Sequence, residues 1–194
     1  MRPLVREELL ALEDYSARRA DFRREVMAHK AVRTVSIGPN VRLFFEDRMT
    51  IRYQVQEMLR AERIFETAAI QEELEAYNPL IPDGGNWKAT QMIEFADANE
   101  RRVALSRLVG IEWQTWVQVE GYERVPAIAD EDLERATGEK TSAVHFLRFE
   151  IPAVMADSLK RGAALSMGVD HENYRHLVAP LPDAVRRALL VDLD

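Results

Sequence analysis

The hydrophobic period of this chain changes once along its length, and this change limits the folds that the chain can adopt. Up to about residue 80, apolar residues recur at helical spacing, whereas beyond the segment 79–86 (PLIPDGGN) they alternate with polar residues. The first spacing is typical of amphipathic helices and the second of half-buried strands. Helices followed by strands indicate an α+β fold, with N-terminal helices packed on one face of a mostly antiparallel sheet.

The length of 194 residues fits one domain with a single large core. We therefore expect a single α+β domain over residues 1–194, with a helical portion at about 1–80 and a sheet-rich portion at about 87–194. Helices are predicted at 13–31, 46–66, 68–77, 101–108, 153–161 and 184–193, and strands at 33–37, 41–45, 87–95, 111–119, 125–129, 143–151, 165–169 and 174–179.

The composition excludes several classes of protein. Hydrophobic residues make up 47% and charged residues 30% of the chain, as in ordinary folded proteins. The chain has no cysteine, which excludes disulfides, thiolate catalysis and cysteine-ligated metal centres held by this chain alone. No segment is apolar enough to span a membrane, and the first residues lack a signal-peptide pattern, so we expect a cytoplasmic protein.

The charge of the chain is negative overall but unevenly distributed. The formal net charge of −7 argues against binding to nucleic acid or to a membrane surface. Residues 1–63 hold 13 basic and 10 acidic side chains, whereas residues 64–194 hold 13 and 23. Arginine supplies 22 of the 26 basic residues. Two explanations stay open: the arginine-rich part pairs internally with the acidic part, or the arginine excess reflects genomic base composition.

One carboxylate has an unexpected position on the predicted helix 46–66. Ile51, Val55 and Leu59 define the core-facing stripe of this helix, and Glu62 projects roughly 20° from Ile51 on a wheel of 3.6 residues per turn. An unpaired buried charge costs several kcal/mol, so a glutamate there is expected to find a cation or to stay protonated. Glu62 is therefore the first candidate for a functional side chain.

The first predicted helix offers cations on its own apolar stripe, which also contains Phe22. If the two helices pack stripe against stripe, Glu62 meets one of these cations. The candidate polar cluster comprises Glu62, Arg19, His29, Arg33, Glu57 and Arg52. Its functional interpretation is a pocket in which Glu62 acts as a base or a ligand, and its structural interpretation is an arginine–glutamate pair that fixes the helix register.

Patterns that would indicate a metal or a cofactor are weak. Glu25 and His29 lie one helical turn apart, a spacing that suits either an ion pair or two metal ligands. The segment 171–176, HENYRH, resembles the zinc-protease pattern HExxH, but its second histidine is one residue late. His145 lies on the apolar face of its strand, as a core histidine does. The sequence contains no phosphate-binding loop, dinucleotide fingerprint or nucleophile elbow, so no cofactor is predicted.

Several segments resemble a bacterial family known only as a domain of unknown function. The distinctive ones are RYQVQEM at 52–58 and NPLIPD at 78–83, and the weaker ones are FEDR at 45–48, AIAD at 127–130 and SAVHF at 142–146. Genes of this family often neighbour those of rubrerythrin-like and heterodisulfide-reductase-like iron–sulfur proteins. The resemblance therefore implies an accessory role in redox or oxidative-stress biology, with an iron–sulfur or rubrerythrin-like protein as partner, and it supplies no catalytic residue.

Three hypotheses about function follow. The leading one is a cytoplasmic accessory protein that binds a redox partner and performs no chemistry itself; Trp113 and Trp116 fall on opposite strand faces, so one of them is expected to be exposed, as an anchor for a partner or by chance. The second is a metal-dependent or small-acid-binding enzyme with its site between the two main N-terminal helices. Its residues would be Glu25, His29, Glu57 and Glu62, with Arg48 or Arg52 holding an acidic ligand. The third is a small-acid-binding module of the arginine-rich half, and a homo-oligomer is compatible with all three.

Overall fold

The strands of the protein form two antiparallel sheets, as seen in a computed structural model that describes residues 2–133 and 135–194. The strands are β1 (Thr34–Ile37), β2 (Val41–Phe45), β3 (Asn86–Ile93), β4 (Thr115–Val119), β5 (Val125–Pro126), β6 (Ile128–Ala129), β7 (Val144–Glu150), β8 (Leu165–His171) and β9 (Tyr174–Val178). The first sheet has the strand order β1-β2-β3-β7-β6, and the second has the order β5-β4-β8-β9. The prediction of an α+β fold with mostly antiparallel strands is confirmed. Its division into two sheets was not predicted, because alternation along a strand does not specify the partner of that strand.

The three longest of the described helices lie in the N-terminal part of the chain, as the period predicts. They are α1 (Leu12–Ala31), α2 (Arg48–Ala61), α3 (Thr67–Tyr77), α4 (Ala98–Arg107), α5 (Ala153–Lys160) and α6 (Asp183–Leu190), and short 3₁₀ segments occur at Arg6–Glu8, Asn78–Leu80 and Ile111–Gln114. None of the described helices combines the length and the apolar character that crossing a membrane requires.

The main hydrophobic core lies between the inner faces of the two sheets. Trp87 and Phe149 from the first sheet, and Val117 and Met167 from the second, are fully buried in one apolar cluster. Burial of each side chain of this size stabilises the fold by about 1.5–3 kcal/mol. A separate, smaller core joins the helices and is formed by Leu4, Ile51, Val55, Leu59, Ile70, Leu74 and Ile81. Helices α1, α2 and α3 therefore pack largely on one another, beside the two-sheet core. The other three helices pack on the main core, to which α5 contributes Leu159 and α6 contributes Leu189.

Helix α2 ends at Ala61 and not at residue 66, and this changes the environment of Glu62. Glu62 is the C-terminal cap and is exposed, because the next residue, Arg63, adopts a left-handed φ of 57°. The Ile64 N–H then donates to the Leu59 carbonyl at 2.8 Å, which is the hydrogen bond of a Schellman-type helix end. The prediction that Glu62 enters the core stripe is wrong, since a helical wheel holds only as far as the helix continues.

Arg33 joins three parts of the fold from a position that is 2% exposed. Its guanidinium donates to the carbonyls of Phe45 (3.1 Å), Glu46 (3.2 Å) and Ala188 (2.9 Å), and it pairs with the carboxylate of Asp192. Burial raises the pKa of Asp192 to about 6, although the Arg33 charge opposes this rise. The end of α1, the end of β2 and the C-terminal helix α6 therefore meet at one cation.

Replacing Arg33 tests whether this contact holds the fold together. Arg33→Ala leaves a buried carboxylate and three carbonyl groups without their donor, so we expect the free energy of unfolding to fall by about 3–5 kcal/mol in urea titrations. Arg42→Ala is the matched control, because Arg42 pairs with Glu94 on the surface and its loss should cost less than about 0.5 kcal/mol. Equal losses in the two variants would contradict this account.

Candidate functional site

Polar side chains interrupt the apolar inner face of the first sheet at one pair of positions. Gln91 on β3 lies directly opposite His145 on β7, and both side chains are fully buried. Their neighbours on the same strands, Ala89 and Leu147, face the hydrophobic core. Buried polar groups persist in such a face only where hydrogen bonds or a ligand satisfy them.

His145 has a defined hydrogen-bond partner on each ring nitrogen. Its Nδ1 lies 2.6 Å from Asp130 Oδ2, and its Nε2 lies 2.8 Å from Thr141 Oγ1 and 3.1 Å from the Ser142 carbonyl oxygen. Because a carboxylate accepts hydrogen bonds, the Asp130 contact places a proton on Nδ1. Oxygen atoms thus surround Nε2, and such an environment suits a metal ion bound to the lone pair of this nitrogen.

Asp130 directly follows the edge strand β6, and two hydrogen bonds to β7 hold it in place. Its backbone N–H donates to the Phe146 carbonyl at 2.8 Å, and its Oδ1 accepts from the Phe146 N–H at 3.0 Å. The backbone of Asp130 has a φ of 48°, which is uncommon for a residue other than glycine. Non-glycine residues in this region cost about 1 kcal/mol or more and persist where the surrounding structure fixes them. Its carboxylate is therefore oriented before any ligand binds.

Glu112 is the third ligand-type side chain of this site. It follows Gly110, whose φ of 85° begins the 3₁₀ segment, and it is only 3% exposed. Its Oε2 lies 3.3 Å from Thr141 Oγ1 and 3.7 Å from His145 Nε2. Within the described part of the chain, no arginine or lysine forms an ion pair with Glu112. A carboxylate with this burial needs a cation nearby to offset its loss of hydration.

A cleft of about 610 Å³ leads to this cluster, and Glu112 and Asp130 form part of its wall. Trp113 lies on the rim and is 53% exposed, whereas Trp116 is buried against the guanidinium of Arg124. One tryptophan is thus exposed and the other buried, as predicted, but Trp113 lies in the 3₁₀ segment Ile111–Gln114 and not on a strand face.

Arg135 also lines this cleft, at 3.4 Å from Asp130 Oδ1 and 4.6 Å from the ring centre of Phe146. Asp130 therefore has a guanidinium group beside it as well as the imidazole, whereas Glu112 has only the imidazole.

Gln91 leaves one buried donor without a partner beside this cluster. Its Oε1 accepts from Thr115 Oγ1 at 2.8 Å, but its Nε2 has no hydrogen-bond partner among the described residues. A buried amide without an acceptor costs about 1–3 kcal/mol. Such a group next to His145 is accounted for if an oxygen atom of a bound water or ligand accepts its hydrogen bond.

Among the described residues, Glu112, Asp130 and His145 are the group whose geometry suits a metal ion. Each offers one ligand atom, and these atoms all lie within 4.8 Å of one another. Glu25 and His29, the metal ligands considered from the sequence, do not belong to this group, and Glu25 is exposed.

The predicted polar cluster of the N-terminal helices divides into separate contacts. An arginine–glutamate pair does join α1 to α2, but its acid is Glu57 and not Glu62. Arg19 Nε and Nη2 each donate to Glu57 at 2.7 Å, and the Tyr15 hydroxyl donates to the same carboxylate at 2.5 Å. Arg52 does not join this pair: its guanidinium lies 5.5 Å from the ring centre of Phe22.

His29 and Arg33 meet Asp47, the N-terminal cap of α2. His29 Nε2 lies 2.5 Å and Arg33 Nε lies 3.5 Å from Asp47 Oδ2, while Oδ1 accepts from the N–H groups of Met49 and Thr50. Burial tends to raise the pKa of Asp47, but the Arg33 charge, the cap and His29 together lower it. These contacts fix the start of α2, which is a structural role.

Glu112 and Asp130 were not predicted as site residues from the sequence, and His145 was predicted to be a core residue. A signal was nevertheless present: Gln91, Thr115 and His145 are polar residues at inward positions of alternating strands.

Glu57→Gln tests the contact between α1 and α2 through its pH dependence. Hydrogen bonds from Arg19 and Tyr15 lower the pKa of Glu57 below its ordinary 4.5. The charged form therefore stabilises the folded state above about pH 4.5, and this contribution is lost as the pH falls through the lowered value. We expect Glu57→Gln to lose about 1 kcal/mol at pH 7, largely through the charge-assisted hydrogen bonds from Arg19, since the amide oxygen of glutamine can still accept from Tyr15.

The measurement is urea unfolding at pH 7 and near pH 3. The difference between wild type and Glu57→Gln should narrow at the lower pH, and a constant difference would contradict the role of the charge. Glu62→Gln is the control, since that side chain is exposed and its replacement should leave the unfolding midpoint unchanged.

Comparison with known proteins places the chain in a family without assigning it a reaction. A crystal structure from Burkholderia pseudomallei K96243, described as a "novel protein of unknown function", is 52% identical, covers 100% of both chains and has a TM-score of 0.95. No curated protein matches the chain. Residues 3–193 match the family described as "Protein of unknown function (DUF3501)". The resemblance to an uncharacterised family is thereby confirmed, and the chain belongs to the DUF3501 family.

Proposed function

We propose that the protein binds a divalent transition-metal ion with Glu112 and His145 and uses it on a small molecule that enters the cleft beside Trp113. The observation that supports this proposal is the convergence of Glu112, Asp130 and His145, whose ligand atoms lie within 4.8 Å of one another at a cleft wall. Imidazole and carboxylate ligands suit Zn²⁺, Fe²⁺ and Mn²⁺.

The distances between the three residues indicate a different role for each. Two ligand atoms on a tetrahedral zinc ion with bonds near 2.0–2.1 Å are roughly 3.3 Å apart. The 3.7 Å between His145 Nε2 and Glu112 Oε2 needs only a small shift to reach this value. By contrast, His145 Nδ1 and Asp130 Oδ2 are 2.6 Å apart, which is a hydrogen-bond distance. Asp130 therefore orients the imidazole, while Nε2 faces the metal.

A metal ion here would also balance the charge of the site. Glu112 is buried without an arginine or lysine partner in the described residues, whereas Asp130 pairs with Arg135 and accepts a hydrogen bond from His145. Two protein ligands leave coordination positions for water or for a substrate oxygen from the cleft. A metal in this position would supply Lewis-acid activation of that oxygen.

Metal titration of protein purified without a histidine tag tests the proposal. After treatment with a chelator, we expect the protein to bind about one equivalent of Zn²⁺, Mn²⁺ or Co²⁺ in equilibrium dialysis. Glu112→Gln and His145→Gln remove ligands and should weaken binding at least tenfold, and Asp130→Asn should weaken it about 10–100-fold. His176→Gln is the control, because His176 is exposed and is expected to leave binding unchanged.

The substitution Asp130→Asn changes the charge of the side chain and leaves the backbone geometry at this position unchanged. Asparagine tolerates the left-handed φ of 48° as well as aspartate does, so circular dichroism should report an unchanged fold. Less than about a tenth of an equivalent of bound metal in the wild type would overturn the proposal, as would unchanged affinity in folded His145→Gln.

A second proposal concerns a partner: an iron–sulfur or rubrerythrin-like redox protein, as the resemblance implies. The feature of this chain that supports it is the exposed indole of Trp113, since tryptophan is enriched among residues that dominate binding energy at interfaces. Its position on the rim would bring a partner next to the metal centre.

Co-purification from native cells, with mass spectrometry of the recovered proteins, tests this second proposal. We expect wild type to retain such a redox protein and Trp113→Ala to lose it. Leu177→Ala, which alters a leucine that is 60% exposed on β9, serves as the control and should retain the partner. Recovery of the protein alone at every salt concentration would count against the partner and leave the metal proposal untouched.

A further inference from the structure

A second cleft, of about 650 Å³, lies between α1 and α2 and is built from elements that the metal centre does not use. Its apolar wall contains Phe22 from α1 and Met49 from α2. Three arginine side chains, Arg18, Arg48 and Arg52, also line it. An apolar wall beside a few charged groups is the usual composition of a small-molecule site, and the volume falls in the usual range.

Arg52 is the least satisfied cation of this cleft. Its guanidinium lies over Phe22, with 5.5 Å between the central carbon and the ring centre. Its Nε is buried and has no hydrogen-bond partner in the described residues, and none of their carboxylates forms an ion pair with Arg52. A charged donor held in this way lacks an acceptor, and leaving it unpaired is costly.

The other charged side chains of the cleft differ in how far they are neutralised. Arg48 pairs with Glu8 and donates to the carbonyl of Arg2 at 3.2 Å, so its charge is already neutralised within the protein. Arg18 is exposed and forms no ion pair within the described residues. On the acidic side, Asp21 pairs with Arg24 at 2.5 Å, whereas Glu25 is exposed.

Arg18 and Arg52 therefore leave an excess of positive charge over the single free carboxylate of Glu25. We propose that this cleft binds a small organic anion, with a carboxylate or phosphate group on Arg52 and Arg18 and an apolar part against Phe22 and Met49. Guanidinium groups bind both oxyanions through paired N–H donors. An inorganic ion alone would leave most of a cleft of about 650 Å³ unfilled, so the ligand carries an apolar body. This inference does not depend on the metal proposal, because the two sites share no residue.

Thermal shift and calorimetric titration at constant ionic strength test the inference with four probes. Phenyl phosphate and benzoate carry both an oxyanion and a ring, whereas inorganic phosphate and acetate carry only the oxyanion. We expect at least one ring-bearing probe to raise the melting temperature by about 3–5 °C at a tenfold excess over its Kd. The preferred probe distinguishes a phosphate ester from a carboxylate as the natural class.

Variants then locate the binding. Arg52→Gln and Arg18→Gln should each weaken binding of the preferred probe at least tenfold, and Arg18, being exposed, can be replaced without risk to folding. Glu25→Gln removes a negative charge from the rim and should tighten binding. Arg23→Gln is the matched control, since Arg23 is an exposed arginine of α1 outside the cleft lining.

Two outcomes would overturn the inference. One is the absence of any shift in melting temperature with all four probes at concentrations of about 10 mM, which is near the weak end of small-ligand affinity. The other is a shift that Arg18→Gln and Arg23→Gln reduce equally, which would indicate a general effect of positive charge on α1.

Discussion

The structure depends on one guanidinium group that has almost no contact with solvent. Removing such a group from water is costly, and Arg33 offsets that cost only because three carbonyl groups and a carboxylate surround it. These acceptors come from the end of β2 and from the region of α6, so the contact fixes both relative to α1. Asp47, which also contacts Arg33, caps α2. Together with the pair between Arg19 and Glu57, this cation therefore fixes the position of α2 and hence the α1–α2 cleft.

Local patterns predicted the elements of the fold well, and their failures have physical reasons. The change of period near residue 80 predicted a helical first part and a sheet-rich second part. Of the described elements, the three longest helices lie before residue 80 and seven of the nine strands lie after it. Glu62 failed because the prediction extended the helical wheel beyond the Schellman-type end at Arg63. The partner of Arg33 could not be predicted either, since Asp192 lies 159 residues away in the sequence. Tertiary contacts of this range leave no local signal.

The candidate metal centre shows more clearly what local sequence patterns do not predict. His145 does lie on the inward face of a strand, as its alternating pattern predicts, and it is fully buried. What makes it a candidate ligand is the approach of Glu112 from a 3₁₀ segment and of Asp130 from the edge strand β6, and neither has a sequence spacing that relates it to His145. A polar residue at an inward strand position is thus a signal that a site exists, while its partners need the fold.

The uneven charge of the chain has a simple relation to the two proposed sites. Most arginines of residues 1–63 that form ion pairs do so within that same part, as Arg19 does with Glu57, and in the described residues only Arg33 and Arg42 reach carboxylates beyond it. Ion pairs between the two parts therefore do not neutralise all of the excess positive charge of residues 1–63. The arginine-rich part retains free guanidinium groups for an anion, and the acidic part gathers carboxylates for a cation. The sign of each proposed ligand follows from the charge that the fold leaves unpaired on each side.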